Sequence, residues 1–239
     1  FELSPMYHKI ILFRLLDCIS LIKLNNGLFE DNLCDFLESK AALMNSWLKN
    51  VTYINGETPM VNDSSYTIAP ESKDLFNYFH KLNISKMLIP LNESGYRKYH
   101  NFNYELFVDV GNIGPDYQPG HAHSDTFSFE LLKKNKAIIV DTGVSTYEKN
   151  SLRQHERSTK AHNTVQFKRI EQTQIWDGFR VANRAKVRVL NESESSITAS
   201  HDGYSKYGLI HTRSFDYFPK KIFLRDYFNK STNNNLKAY

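Results

Sequence analysis

The sequence predicts an α+β chain in two parts, a helical layer followed by an antiparallel β-sandwich. Three observations predict it. Residues 1–90 carry long runs with apolar side chains at helical spacing. After residue 90 the chain breaks into short β-branched and aromatic runs, punctuated by Gly, Asn, Asp and Ser. No helical run separates those strands, which favours a sandwich over a parallel α/β sheet.

The elements follow in order. Ser4 is placed to N-cap a first helix and Pro5 fits its first position. The stretch "MYHKIILFRLLDCISLIKL" is apolar on nearly all sides, which predicts a helix buried between others. A second helix, about residues 31–50, carries Leu33, Phe36, Leu37, Ala41, Met44, Trp47 and Leu48 at helical spacing. "NGETP" reads as a turn and "MVNDSSYTIAP" as a loop, and a third helix follows in "ESKDLFNYFHKL" after Pro70. Strands are expected in "YELFVDVG", "TFSFELL", "KAIIVDTG", "NTVQF", "FRVANRAKVRVL", "SITASHDG", "GLIHTRSFDYF" and "KIFLRDYF". The change of pattern near 85–100 divides the chain into residues 1–90 and 91–239. "STNNNLKAY" reads as a hairpin loop opening into another strand. With no Met or signal peptide before "FELSPMYH", the chain reads as cut from something longer, at both ends.

Composition narrows the function classes. The chain has 239 residues, is 41% hydrophobic and 13% aromatic, and so can bury a core. Fourteen Tyr and sixteen Phe beside ten Gly favour sheet or an aromatic-lined cleft. The net charge of +4 suits an acidic partner such as a polyanionic sugar. No dense basic run or arginine-rich arm points to nucleic acid. No apolar run is long enough to cross a membrane. Two cysteines, Cys18 and Cys34, make no disulfide framework and are expected as buried free thiols.

The chemistry concentrates in "GHAHSDTFSF". In an extended strand His121, His123 and Asp125 share one face. That face is either a solvent-facing polar stripe or a site. Asp141 ends the apolar run "AIIVD" before a Gly turn, and His162 precedes another apolar run. Asp141 either caps that turn or ligates a metal, and His162 is either a polar cap or a second imidazole ligand. Read as a site, His123, Asp141 and His162 form a plausible zinc set with a fourth position open. Tyr7, in the first turn of a buried helix beside His8, is either a core phenol or an acid/base group.

Three stretches carry a resemblance: "GNIGPDYQPGHAHSDTFSFEL", "IIVDTGVSTYEKNSLRQHERSTKAHNTVQF" and "QIWDGFRVANRAKV". They resemble the C-terminal region of the heparinase II/III family of polysaccharide lyases. "FELSPMYHKIILFRLLD" resembles the last catalytic segment of that family's helical domain, and "GETPMVNDS" the loop after it. The resemblance implies the last helices of an (α/α) toroid over residues 1–90 and an incomplete antiparallel β-sandwich over 91–239. It implies β-elimination at a uronic acid of an acidic glycan, heparan sulfate-like, alginate-like or capsular. Tyr7 then serves the acid/base step and His121 lies across the cleft. His123, Asp141 and His162 hold a zinc, with Asp125 as outer support. Arg153, His155 and Arg157 are candidate substrate contacts, His155 replacing a Tyr common in relatives. Arg180 and Arg184 are expected to be structural or surface residues. The Asn or His that neutralises the uronate lies on an earlier helix in the family, so this stretch alone is expected to be inactive. Family habit implies a bacterial periplasmic or secreted protein. The alternatives are a non-catalytic glycan-binding or polysaccharide-assembly protein, and a zinc hydrolase using His121, His123 and Asp125.

Overall fold

The computed structural model describes residues 3–25, 27–232 and 236–239. Helix α1 (Pro5–Leu24) begins where the sequence places it: Ser4 Oγ accepts from the Tyr7 N–H at 3.3 Å. Helices α2 (Asp31–Val51) and α3 (Ser72–Lys81) complete a three-helix layer. Leu12, Leu16 and Ile19 of α1 pack with Ala41, Trp47 and Leu48 of α2 and with Leu75 and Phe79 of α3. The expectation that α1 is buried all round does not hold. Among the described residues α2 and α3 are the elements that pack along it, and Ile11, Leu21 and Leu24 are exposed. Cys18 lies on the same open face, at helical spacing from Ile11 and Leu21. It is therefore exposed rather than buried, and Cys34 is half-buried.

Strands β1 (Tyr96–His100), β2 (Tyr104–Asp109), β3 (Phe129–Lys133) and β4 (Lys136–Ile139) form an antiparallel sheet in chain order. The chain then makes helix α4 (Ser151–Glu156), strand β5 (Val165–Phe167) and a hairpin of β6 (Gln174–Trp176) and β7 (Arg180–Ala182). A second antiparallel sheet joins β8 (Val187–Ser193), β9 (Ser196–His201), β10 (His211–Phe218) and β11 (Lys221–Phe228). Strand β12 (Leu236–Ala238) pairs with β5. The strand expected at the end is present. The "NNN" before it, residues 233–235, lies outside the described residues.

Strand β2 is the shared wall of the molecule. Tyr104, Leu106 and Val108 face the second sheet and pack with Ile197, Ala199, Phe215 and Tyr217. Phe107 points the other way and joins the helical core with Tyr96 and Leu132. Both faces are buried, which is why "YELFVD" does not alternate apolar with polar. Leu106, Phe107 and Val108 are fully buried; such side chains each contribute roughly 1.5–3 kcal/mol.

Three elements escape the sequence reading, among them β6, the short first strand of the hairpin with β7. Strand β1, "YRKYH", carries little apolar signal. Helix α4 interrupts the strands, capped by Asn150, whose side chain accepts from Arg153 N–H at 2.9 Å. At six residues it is under two turns, too short for a helical period to register.

Candidate functional site

The site is assembled where three segments meet: the start of α1, the loop at residues 62–64 and the loop carrying the histidines. Ser4 joins the first two. Its Oγ caps Tyr7 and donates to the carbonyl oxygen of Asp63 at 2.8 Å. The backbone of the loop joins the third segment. Asp63 N–H donates to His121 O at 3.1 Å, and His123 N–H donates to Asn62 Oδ1 at 3.1 Å. "HAHSD" is therefore not a strand. It is a loop between β2 and β3, held from both sides, and the alternation argument for its faces does not apply.

The carboxylate of Asp63 is the hub. It is wholly buried. His121 Nδ1 lies 2.7 Å from Oδ2 and His123 Nε2 lies 2.9 Å from Oδ1. The Arg153 guanidinium forks onto both oxygens, Nη2 donating to Oδ2 at 2.8 Å and Nη1 to Oδ1. Burial alone would raise this carboxyl. Hydrogen bonds from His121, His123 and Arg153 outweigh burial and hold it well below the usual carboxylate range. Both histidines thus converge on one carboxylate. The hydrolase alternative needs them, with Asp125, on one open metal, and this geometry does not provide that.

Above the hub lies an aromatic cluster. The Tyr7 and His121 ring centroids are 4.5 Å apart. Tyr7 Oη donates to Tyr147 Oη at 2.9 Å. The Tyr147 and Phe179 rings stack at 6.0 Å, each over the Arg153 guanidinium, at 5.3 and 5.2 Å. Burial, then the contact with Tyr7, pushes the Tyr147 phenol well above its ordinary value, so it stays protonated. An open cavity of about 350 Å³ borders Tyr7 and His121, with Ser4, His8, Met44 and Trp47 on its walls. His8 Nε2 lies 2.8 Å from the Met44 carbonyl, and burial pushes the ring down to about 4. It is a neutral core residue that ties α1 to α2.

Beneath His121 lies a second, fully buried cluster. The rings of His123 and His162 are 5.3 Å apart. Both Asp141 oxygens face His162 Nδ1, at 2.9 and 3.0 Å. Burial opposes charge on each, but their mutual attraction holds His162 above and Asp141 below its ordinary value. Burial pushes His123 down to about 4 and Asp125 up to about 7. So His123, Asp141 and His162 are brought together, with Asp125 close enough to feel their charges. Among the described residues no three His, Cys, Asp or Glu side chains are gathered as a ready metal-ligand group. The cluster does contain three buried atoms without a hydrogen-bond partner, His123 Nδ1, His162 Nε2 and Asp125 Oδ2. Two imidazole nitrogens and a carboxylate oxygen are a donor set that suits zinc. The carboxylates on the far ring nitrogens have the form of outer partners that orient metal-binding histidines.

The arginines correct the sequence reading. Arg153 and Arg157 are fully buried, so neither guanidinium is offered to a substrate. Helix α4 turns Arg153 inward onto Asp63 and the Gly178 carbonyl. Arg157 donates to the Ala122 and Arg180 carbonyls and bridges the histidine loop to the β6–β7 hairpin. Of the three predicted contacts only His155 is exposed. Arg180 is exposed beside Asp177, and Arg184 ties Asp116 and nearby carbonyls. Sequence reasoning missed Asp63, Tyr147 and Phe179. Only the loop "VNDSS", polar among apolar neighbours, carried any signal for Asp63.

The sequence profile of the heparinase II/III-like, C-terminal family matches residues 83–239. The chain belongs to that family. Comparison with curated proteins finds no match. Among solved structures, this heparinase II/III-like chain is similar to the heparan sulfate lyase HepC of Pedobacter heparinus, with a TM-score of 0.67 at 20% identity. That alignment covers 95% of this chain and 38% of HepC. A heparinase III, the BT4657 gene product, aligns with a TM-score of 0.65 at 16% identity, over 95% of this chain and 38% of its own. At such identities the likeness is one of fold: few helices followed by antiparallel sheets. The heparinase II/III-like chain spans well under half the length of either relative. Among the described residues, no helix is long and apolar enough to cross a membrane.

Proposed function

We propose that this chain supplies part of the active site of a polysaccharide lyase that cleaves uronic-acid-containing glycans by β-elimination. The observation that carries the reading is the meeting of Tyr7, from the helical layer, with His121, from the sandwich, at the edge of an open cavity. Two proton-exchanging groups on opposing elements are what elimination requires. One base takes the proton from C5 of the uronate, the C4–O bond breaks, and an acid protonates the departing oxygen. Tyr7 and His121 are assigned to these proton transfers. Tyr147 holds the Tyr7 hydroxyl, and the stacked face of Tyr147 and Phe179 offers an apolar wall to a sugar ring. The group that neutralises the uronate carboxylate is assigned to an earlier helix of a toroid to which residues 1–90 would belong. Cell-envelope or secreted location belongs to the same proposal.

A zinc ion is proposed beneath the site. His123 Nδ1, His162 Nε2 and the Asp125 carboxylate would hold it; Asp141, expected as a ligand, would instead stand behind His162 as its outer partner, and Asp125 would take the ligand place. Its contribution there is to fix the loop that presents His121.

The test feeds the protein, in its longest natural form, heparan sulfate, alginate and related polyuronides. Elimination creates a conjugated C4–C5 double bond with near-ultraviolet absorbance. No rise on any uronate polymer refutes the lyase reading. Tyr7→Phe should lower turnover by about a hundredfold or more while binding persists; a fully active variant refutes the assignment. Elemental analysis should find one zinc per chain, lost in His162→Ala.

A further inference from the structure

Asp63 is the feature that the lyase reading leaves unassigned. It sits in a loop, carries no family role in that reading, and is wholly buried. Its four strongest neighbours come from different parts of the chain: His121 and His123 from the β2–β3 loop, Arg153 from α4, and Ser4 at the cap of α1 through the Asp63 carbonyl.

We propose that Asp63 is a positioning residue of the site, fixing the orientation of His121 and placing its proton on Nδ1. The proposal rests on the lyase reading and deepens it. A carboxylate oxygen can only accept, so the Nδ1 that lies 2.7 Å from Oδ2 must be the donor. In the neutral ring the basic nitrogen is then Nε2. The ring cannot flip without presenting Nε2–H or a carbon to the carboxylate, so orientation and tautomer are set together. Asp63 is itself immobile. The Arg153 fork fixes the plane of its carboxylate, and His123 occupies Oδ1 from the other side. Arg153 is in turn held by the Gly178 carbonyl and lies against both Tyr147 and Phe179. The aromatic pair beside His121, the buried arginine and the histidine are therefore one connected unit. Arg153 serves the substrate site from beneath, through Asp63.

Nitrogen-15 NMR of histidine-labelled protein at alkaline pH tests this directly, with the His121 signals assigned by their loss in His121→Gln. The wild-type ring should show a protonated Nδ1 and an unprotonated Nε2. Asp63→Asn should move His121 toward the Nε2–H form that a free histidine side chain prefers. In the double-bond assay the same variant should lose kcat by on the order of a hundredfold with KM nearly unchanged. Asp63→Glu keeps the acceptor and should retain the Nδ1–H form and part of the rate. A purely structural role would instead lower the amount of folded protein and leave kcat per folded chain intact. A wild-type His121 protonated on Nε2 overturns the proposal, and that spectrum needs no variant to fold. An unchanged tautomer or an unchanged kcat in folded Asp63→Asn overturns it too. If no uronate polymer is cleaved by the wild type, the lyase reading fails, and the tautomer still decides whether Asp63 sets the His121 ring.

Discussion

Replacing Arg153 by Met tests how the site is held together. The guanidinium and the Asp63 carboxylate are both fully excluded from water, and the fork makes two charge-assisted hydrogen bonds. Met keeps the apolar stem that packs against Tyr147 and Phe179. It removes the charge and strands the carboxylate with only two imidazoles. Breaking a buried pair from one side costs about 3–5 kcal/mol, because the remaining charge stays buried without compensation. For a chain of this size that corresponds to a fall in Tm of roughly 6–20 °C. Arg157 is the internal control. It is equally buried, but its hydrogen bonds go to carbonyl oxygens and its Nη1 has no partner. Burial and the nearby Arg153 already push its guanidinium down to about 10. Arg157→Met therefore removes a poorly compensated charge and leaves only neutral acceptors, at a cost of about 1–3 kcal/mol. Thermal and urea denaturation of both variants, followed by circular dichroism, measure the difference. A loss under about 1 kcal/mol for Arg153→Met, the level of an exposed ion pair, refutes the reasoning. So does a larger loss for Arg157→Met than for Arg153→Met.

Two further outcomes follow from the buried network. Gly203 N–H donates to His201 Nδ1, so His201 Nε2–H points at His211 Nδ1, 2.9 Å away, and His211 Nε2–H points at Asp226, 2.7 Å away. Arg213 forks onto the same Asp226. Burial, reinforced by the neighbouring His211 and Arg213, holds His201 well below its ordinary 6.5. The unfolded chain takes up this proton as pH falls through 6.5 and the folded chain does not, so the contribution to stability is present above 6.5 and is lost in acid. Denaturation midpoints should show His201→Asn losing about 1.4 kcal/mol less per pH unit than the wild type below 6.5; an identical slope contradicts the neutral relay. Gly143, at φ +59°, lies where an added Cβ would fall 2.3 Å from the Ser64 carbonyl oxygen. Gly143→Ala should cost more than about 2 kcal/mol by shifting the Asp63 loop, and a variant of unchanged thermal stability contradicts that packing.

Much of this protein was legible without its structure. The three helices, the Ser4–Pro5 start of α1 and most of the strands follow from periodicity and turn chemistry, because these are short-range properties of the backbone. The grouping of His123, Asp141 and His162 could also be proposed, since loops at strand ends are brought to one edge of a sheet. What sequence could not place was which polar side chains the fold buries and which carboxylate they meet. The arginines of "RQHERST" looked like substrate contacts because an exposed guanidinium and a buried one have the same letters. Only the inward turn of α4 decides that Arg153 meets Asp63, ninety residues away. The two histidines of "GHAHSD" presented a geometric conflict only while they were read as a strand. Folded as a loop, they reach the same carboxylate from two directions. The sequence determined the elements and the chemical groups available. Tertiary structure decided which of those groups lost their water, and burial is what turns an ordinary aspartate at position 63 into the hub of the site.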